Sequence, residues 1–233
     1  MKVISFFSAK GGTGKTTFNM LLASYLKYEK GQRVMLLDFD APEYNLSFCR
    51  KRELAGVKEA VDESALYPIE AVRDLSEGNL ATVAGMVRKM EGVLDYVVMD
   101  FKGSFLSGDP VCVMAEAGVL DMVVIPVELD AMIVASMKSL ALLFKENGQQ
   151  ALLFFNRVHG KERPTQYEAV RLWFEEHGCR VARSQVKGNI GMKREQGEGH
   201  FVRSTLCFPG KEIRKSNPGI VGLLEEVIGY DGD

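Results

Sequence analysis

The chain has 233 residues, 46% of them hydrophobic and 26% charged, with a formal net charge of −2. That length suits one domain with a sizeable core, read here as residues 1–233, and the composition is that of an ordinary soluble protein. The small net charge excludes bulk attraction to nucleic acid, so any such attraction has to come from a local patch.

Taken in chain order, residues 2–8 read as a strand, too short and too quickly followed by glycines to be a signal-peptide core. A helix follows Lys15, because Phe18, Leu21, Leu22, Tyr25 and Leu26 recur at one-face spacing, and Gly31 is its expected C-terminal stop. Arg33–Asp38, Tyr96–Asp100, Met122–Val127 and Ala151–Asn156 are continuous apolar runs, the pattern of strands covered on both faces. Helical patterns lie near 79–91, 130–146 and 165–177, while residues 42–80 carry no clear signal. The longest largely apolar stretch, Ala131 to Phe144, is interrupted by Lys138 and falls short of the ~20 residues of a membrane span. A cytoplasmic protein is therefore expected. Strand–helix alternation predicts an α/β fold, mostly parallel, with helices on both faces of the sheet.

Between the first strand and first helix stands Lys10-Gly11-Gly12-Thr13-Gly14-Lys15-Thr16-Thr17. Glycines allow a tight turn whose N–H groups point at phosphate oxygens, and the helix N-terminus adds a field that favours anions. Lys15 would neutralise charge on the outer phosphates and the Thr16 hydroxyl would bind Mg²⁺. The usual phosphate-loop pattern fails at one place: Ala9 replaces its first glycine, and a second lysine, Lys10, is present. Phosphoryl transfer also needs a metal-binding carboxylate and a group that places water. Leu36-Leu37-Asp38-Phe39-Asp40 and Asp95-Tyr96-Val97-Val98-Met99-Asp100 supply candidates at strand ends; solvated strand-end acids are the alternative.

Lys10 with Lys15 resembles the deviant phosphate loop of the ParA/MinD ATPases. The resemblance implies that Lys10 reaches the nucleotide of a partner subunit, that Asp40 orients the attacking water, and that Asp100 and Asp38 serve the metal. It covers nearly the whole chain. Val123-Val124-Ile125-Pro126-Val127 resembles the family's strand ending in proline–valine, and Leu152–Arg157 its strand ending in an asparagine. By that resemblance Asn156 would read adenine, with turn capping as the alternative. The chain departs from the family after Asp100, where Phe101-Lys102-Gly103-Ser104 replaces a threonine- or proline-containing turn that senses the γ-phosphate in relatives.

Within the family, a nitrogenase-type reductase would need cluster-bridging cysteines. Cys49, Cys112, Cys179 and Cys207 are scattered, with no CxxC pair and none near the proline–valine turn. A MinD-like membrane helix would be basic, whereas Ile220–Ile228 carries Glu225 and Glu226 and no lysine, so core packing is expected and no membrane partner. The chain opens on its first strand, without the helix-turn-helix of large partition ATPases. The implied protein is a small ParA-like ATPase with an ATP homodimer, nonspecific DNA and a ParB-like adaptor. The alternative is a positioning switch with protein partners only. From Arg180 to Lys215 nine basic residues face three acidic ones, an excess of six. Lys187, Lys193, Arg194 and Arg203 are the DNA-contact candidates, a solvated charged face being the other reading.

Overall fold

The computed structural model describes residues 1–57, 61–160, 163–188 and 204–229. Lys193, Arg194 and Arg203 lie outside the described residues. Seven parallel strands carry the fold, confirming the α/β parallel class. The chain divides into two compact units, Met1–Met122 with Arg203–Phe208, and Val123–Val202 with Pro209–Asp233.

In the first unit the strands β1 (Lys2–Phe6), β2 (Val34–Asp38), β3 (Ile69–Ala71) and β4 (Tyr96–Asp100) lie in the order β3-β2-β4-β1. The register sets Val34 beside Tyr96 and Asp38 beside Asp100, so two carboxylates end neighbouring strands side by side. Helix α1 (Lys15–Tyr28) packs on β1, β2 and β4. Phe18, Leu21, Leu22, Tyr25 and Leu26 are all buried, as their spacing predicts. The helix closes across Gly31, whose left-handed φ of 66° lets the Gln32 N–H return to the Leu26 carbonyl at 2.9 Å.

The stretch without a clear sequence signal holds α2 (Asn45–Gly56), a single turn at Glu63–Ala65 and the edge strand β3. Leu46 is the one buried residue of α2, so no apolar stripe marks it. What fixes α2 is polar. Arg50 stacks on Tyr67 and donates to the Thr205 hydroxyl and carbonyl, while Glu53 accepts from the Thr205 N–H at 2.9 Å. These bonds tie residues 204–208 to the first unit. Helices α3 (Glu77–Lys89) and α4 (Pro110–Glu116) complete it.

The second unit holds β5 (Met122–Val127, its first residue on the boundary), β6 (Gln150–Phe155) and β7 (Arg180–Val181), ordered β5-β6-β7. Helix α5 (Ala131–Glu146) packs on β6 and α6 (Pro164–Glu176) on β7. Lys138 lies 4.0 Å over the Trp173 ring, which stacks on His177. Two helices, α7 (Gly210–Ser216) and α8 (Pro218–Ile228), end the described chain. Ile220, Leu223, Leu224 and Val227 of α8 are fully buried, so its apolar residues pack in the protein as expected. Glu226 accepts from the backbone N–H groups of Arg183 and Ser184, each at 2.7 Å. No helix among the described residues is long and apolar enough to cross a membrane.

Candidate functional site

The first unit gathers its polar side chains where β1, β2 and β4 end, the edge at which open parallel sheets place ligands. Strand β1 runs into buried Ser8, whose hydroxyl accepts the Lys10 N–H at 3.2 Å. Gly12 and Gly14 have left-handed φ of 74° and 94°, conformations that a side chain resists, and Gly14 is the N-cap of α1. The loop therefore wraps around the start of a fourteen-residue helix, the backbone geometry that receives phosphate. Thr13, Lys15 and Thr17 are buried, Thr16 is half-buried, and Gly11, Gly12 and Lys10 are exposed.

Lys15 Nζ donates to the Lys10 carbonyl at 3.0 Å. Burial lowers its pKa, and the charges of Asp100 and Asp40 oppose that shift. The ammonium and these two carboxylates thus belong to one electrostatic site. Asp100 is fully buried; its Oδ1 accepts from Asn19 Nδ2 at 2.7 Å, and its Oδ2 has no hydrogen-bond partner among the described residues. Burial pushes the carboxyl up to about 7, against the hydrogen bonds of Asn19 and Thr16. A buried oxygen without a donor beside a threonine hydroxyl suits a hard divalent cation, and Mg²⁺ needs few protein oxygens when phosphates and water supply the rest. The donor set fits that ion, with Thr16 and Asp100 as the groups that would hold it.

Asp38, also fully buried, is differently engaged. Its Oδ1 accepts from the Asp40 N–H at 3.2 Å, and its Oδ2 from the Ser47 N–H at 3.1 Å and hydroxyl at 3.3 Å. Burial raises its pKa while those donors lower it. Both oxygens thus already serve the turn leading into α2. Asp40, half-buried, accepts from Asn45 Nδ2 at 2.8 Å.

The residues 1–84 match the model of the AAA domain family. No curated protein matches. Among solved structures, the MinD of the MinC:MinD cell division complex from Aquifex aeolicus aligns over 100% of this chain and 98% of its own, with 18% identity and a TM-score of 0.69. A putative plasmid partition protein from Borrelia burgdorferi, bound to AMPPNP, aligns over 97% and 99%, with 20% identity and a TM-score of 0.61. ParA of pNOB8 bound to nonspecific DNA aligns over 76% and 75%, with 18% identity and a TM-score of 0.54. The chain has the fold of the ParA/MinD ATPases.

Two features of this site emerge only from its contacts: Asn19 belongs to no motif, and Gly103 shows in sequence only as part of the departure after Asp100. Asn19 clamps the strand end: its Oδ1 accepts the Phe6 N–H at 2.7 Å while its Nδ2 reaches Asp100. Its signal is a lone amide in an otherwise apolar helical run, one turn beyond Thr16. The second feature is Gly103. A Cβ there would lie 2.6 Å from Lys15 Nζ and 3.4 Å from the Lys10 carbonyl, so the segment after Asp100 rests directly on the phosphate loop. Gly103→Ala is expected to displace the Lys15 ammonium and weaken nucleotide binding about tenfold, with little change in thermal stability. Isothermal calorimetry beside a melting curve checks this; unchanged affinity would refute it.

Asn156 belongs to the second unit. It is buried just past β6, its N–H donates to the Val127 carbonyl at 2.8 Å, and its Oδ1 accepts the Arg157 N–H at 3.0 Å. Lys187, also in that unit, is exposed, and its backbone is held by Asn217 through bonds of 3.3 and 2.9 Å.

Proposed function

We propose that residues 1–233 form one ATPase domain of the ParA/MinD kind, using ATP and Mg²⁺. The observation that carries this reading is the meeting of a two-lysine phosphate loop with buried Asp100, whose Oδ2 lacks a partner, and with Asp40. In this reading the N–H groups of residues 10–17 cradle the phosphates, and Lys15 neutralises them. Thr16 and Asp100 hold the ion, which would offset charge on the phosphates. Asp38 supports the metal shell from behind by fixing the turn that carries Asp40, and Asp40 orients water. Asn156 reads the adenine. Exposed Lys10 extends to the nucleotide of a second copy, so ATP assembles a homodimer.

The dimer then holds duplex DNA of any sequence through Lys187, Lys193, Arg194 and Arg203, a ParB-like adaptor triggers hydrolysis, and the protein works in the cytoplasm to segregate or position DNA. The excess of six basic residues between 180 and 215, in a chain whose total is −2, favours this. A partition protein of this fold binds nonspecific DNA. The second reading is a positioning switch that binds only protein; a protein partner is seen for this fold in the MinC:MinD cell division complex.

Light scattering and a duplex band shift separate the readings. With ATP, but not ADP, the wild type is expected to become a dimer and to retard DNA of unrelated sequences at low salt, with steep loss as salt rises. Lys10→Ala is expected to bind ATP and stay monomeric. An ATP dimer that retards no DNA at low salt would leave the protein-only switch standing, and a nucleotide-independent monomer would defeat both.

A further inference from the structure

Three consecutive residues after Asp100 each touch a different part of the site. Phe101 is buried and stacks on Phe39, with ring centroids 4.8 Å apart, at the turn between Asp38 and Asp40. Lys102 Nζ donates to the Ala41 carbonyl at 3.3 Å and lies 3.9 Å from Glu43 Oε2. Gly103 rests on Lys10 and Lys15, as described above. Residues 101–103 are thus a brace between the phosphate loop on one side and the Asp40 turn on the other. The turn has its own internal bonds, Ala41 N–H to the Phe39 carbonyl and Tyr44 N–H to the Asp40 carbonyl. From β4 itself the Asp100 carbonyl accepts the Phe39 N–H at 2.8 Å, and just beyond that strand Lys102 supplies a bond further along the turn, at Ala41.

We propose that Lys102 is a positioning residue for hydrolysis, its ammonium holding the Ala41–Glu43 turn so that Asp40 is kept at a fixed place relative to the phosphate loop. This rests on the ATPase reading above. The pair with Glu43 is exposed, the two side chains being 58% and 54% accessible, and such pairs add at most about 1 kcal/mol to folding. Its removal therefore leaves the fold standing. Its effect falls on placement, where a displacement of about 1 Å can cost 10²-fold in rate.

The geometry separates Lys102 from an ordinary phosphate counter-ion. Its partners are a backbone carbonyl and a carboxylate of the catalytic turn, so its loss acts on Asp40 before any nucleotide arrives. Methionine keeps much of the lysine stem and loses the donor, whereas arginine keeps both charge and donors.

The test compares wild type, Lys102→Met, Lys102→Arg and Glu43→Gln by three measurements: amide hydrogen exchange of residues 39–41, 43 and 44 without nucleotide, Kd for ATP, and kcat. Lys102→Met is expected to exchange faster at those amides, to bind ATP within about twofold of wild type, and to lose about tenfold or more in kcat. Lys102→Arg restores protection and most of kcat; Glu43→Gln gives a smaller change in the same direction. Unchanged exchange with unchanged kcat would overturn the proposal. So would equal losses in affinity and turnover, which would make Lys102 a direct nucleotide ligand. A wild type that binds no ATP while Lys102→Met still loosens the turn would defeat the ATPase reading and leave Lys102 a purely structural brace, overturning its role in hydrolysis.

Discussion

Lys15→Ala is expected to abolish measurable ATP binding, whereas Asp40→Ala binds ATP like wild type and does not turn it over. Lys15 is buried where the charges of Asp100 and Asp40 favour its protonated form, so its ammonium is the main positive charge built into the loop. Truncating one partner of a buried charged contact costs roughly 2–5 kcal/mol, which is at least about 30-fold in Kd. The alanine variant also removes the ammonium that the charges of Asp100 and Asp40 favour, so those carboxylates are less well balanced when phosphate enters. Asp40 stands differently. It is half-buried, bonded to Asn45, and absent from the hydrogen bonds of the phosphate loop. Its removal leaves the cradle intact and takes away a group that places water, a loss of about 10²–10⁴-fold in rate. Titration with a non-hydrolysable ATP analogue, beside steady-state hydrolysis, distinguishes the two. Equal loss of affinity in both variants would contradict the assigned roles.

How far the sequence foretells this site depends on which force builds each part. Tyr96–Asp100 and Met122–Val127 fall at the bounds their apolar runs predict, because all but Tyr96 are buried and hydrophobic burial writes itself as composition. The phosphate loop is legible for another reason: Gly12 and Gly14 are required by φ values that few other residues tolerate. Helix α2 is not legible, since Arg50, Glu53 and Thr205 hold it and the bonding partners stand more than 150 positions apart. Strand β3 has three residues at the sheet edge, and α4 has seven, too few for a period to show. The brace at 101–103 shows in sequence only as a departure from a familiar pattern. Its meaning needs the contacts of Lys102 with Ala41 and of Gly103 with Lys15. Asn19 is intermediate, visible as an odd residue in an apolar run but not as the partner of Asp100.

Asp100→Asn is expected to stabilise the nucleotide-free protein while removing its response to Mg²⁺ and ATP. Burial raises the Asp100 carboxyl from 3.8 to about 7 in the folded chain. The unfolded chain keeps an ordinary carboxyl, so it releases the proton at lower pH. Folding stability therefore falls as pH rises from about 4 through 7, and above 7 the folded protein carries the full penalty of a buried carboxylate. Asp38, whose pKa is also raised by burial, adds to the slope in the same direction. Asp95 does not: its carboxyl is lowered to about 2 by Arg33, and its contribution is lost only as pH falls below the ordinary carboxyl range. At about 1.4 kcal/mol for each pH unit, the rise from 3.8 to about 7 makes the Asp100 penalty at most about 4–5 kcal/mol, or roughly 8–20 °C in melting temperature for a chain of this size. Asparagine keeps an oxygen for Asn19 and offers Thr16 an amide, without a charge to desolvate. Melting curves without metal or nucleotide should then show the variant well above wild type at pH 8 and level with it near pH 4.5. Adding Mg²⁺ and ATP at pH 8 should reverse the order, because wild type gains a cation against Asp100 Oδ2 and the variant has no carboxylate to offer. A variant less stable than wild type at both pH values would mean that Asp100 is held for the fold and not for the ion.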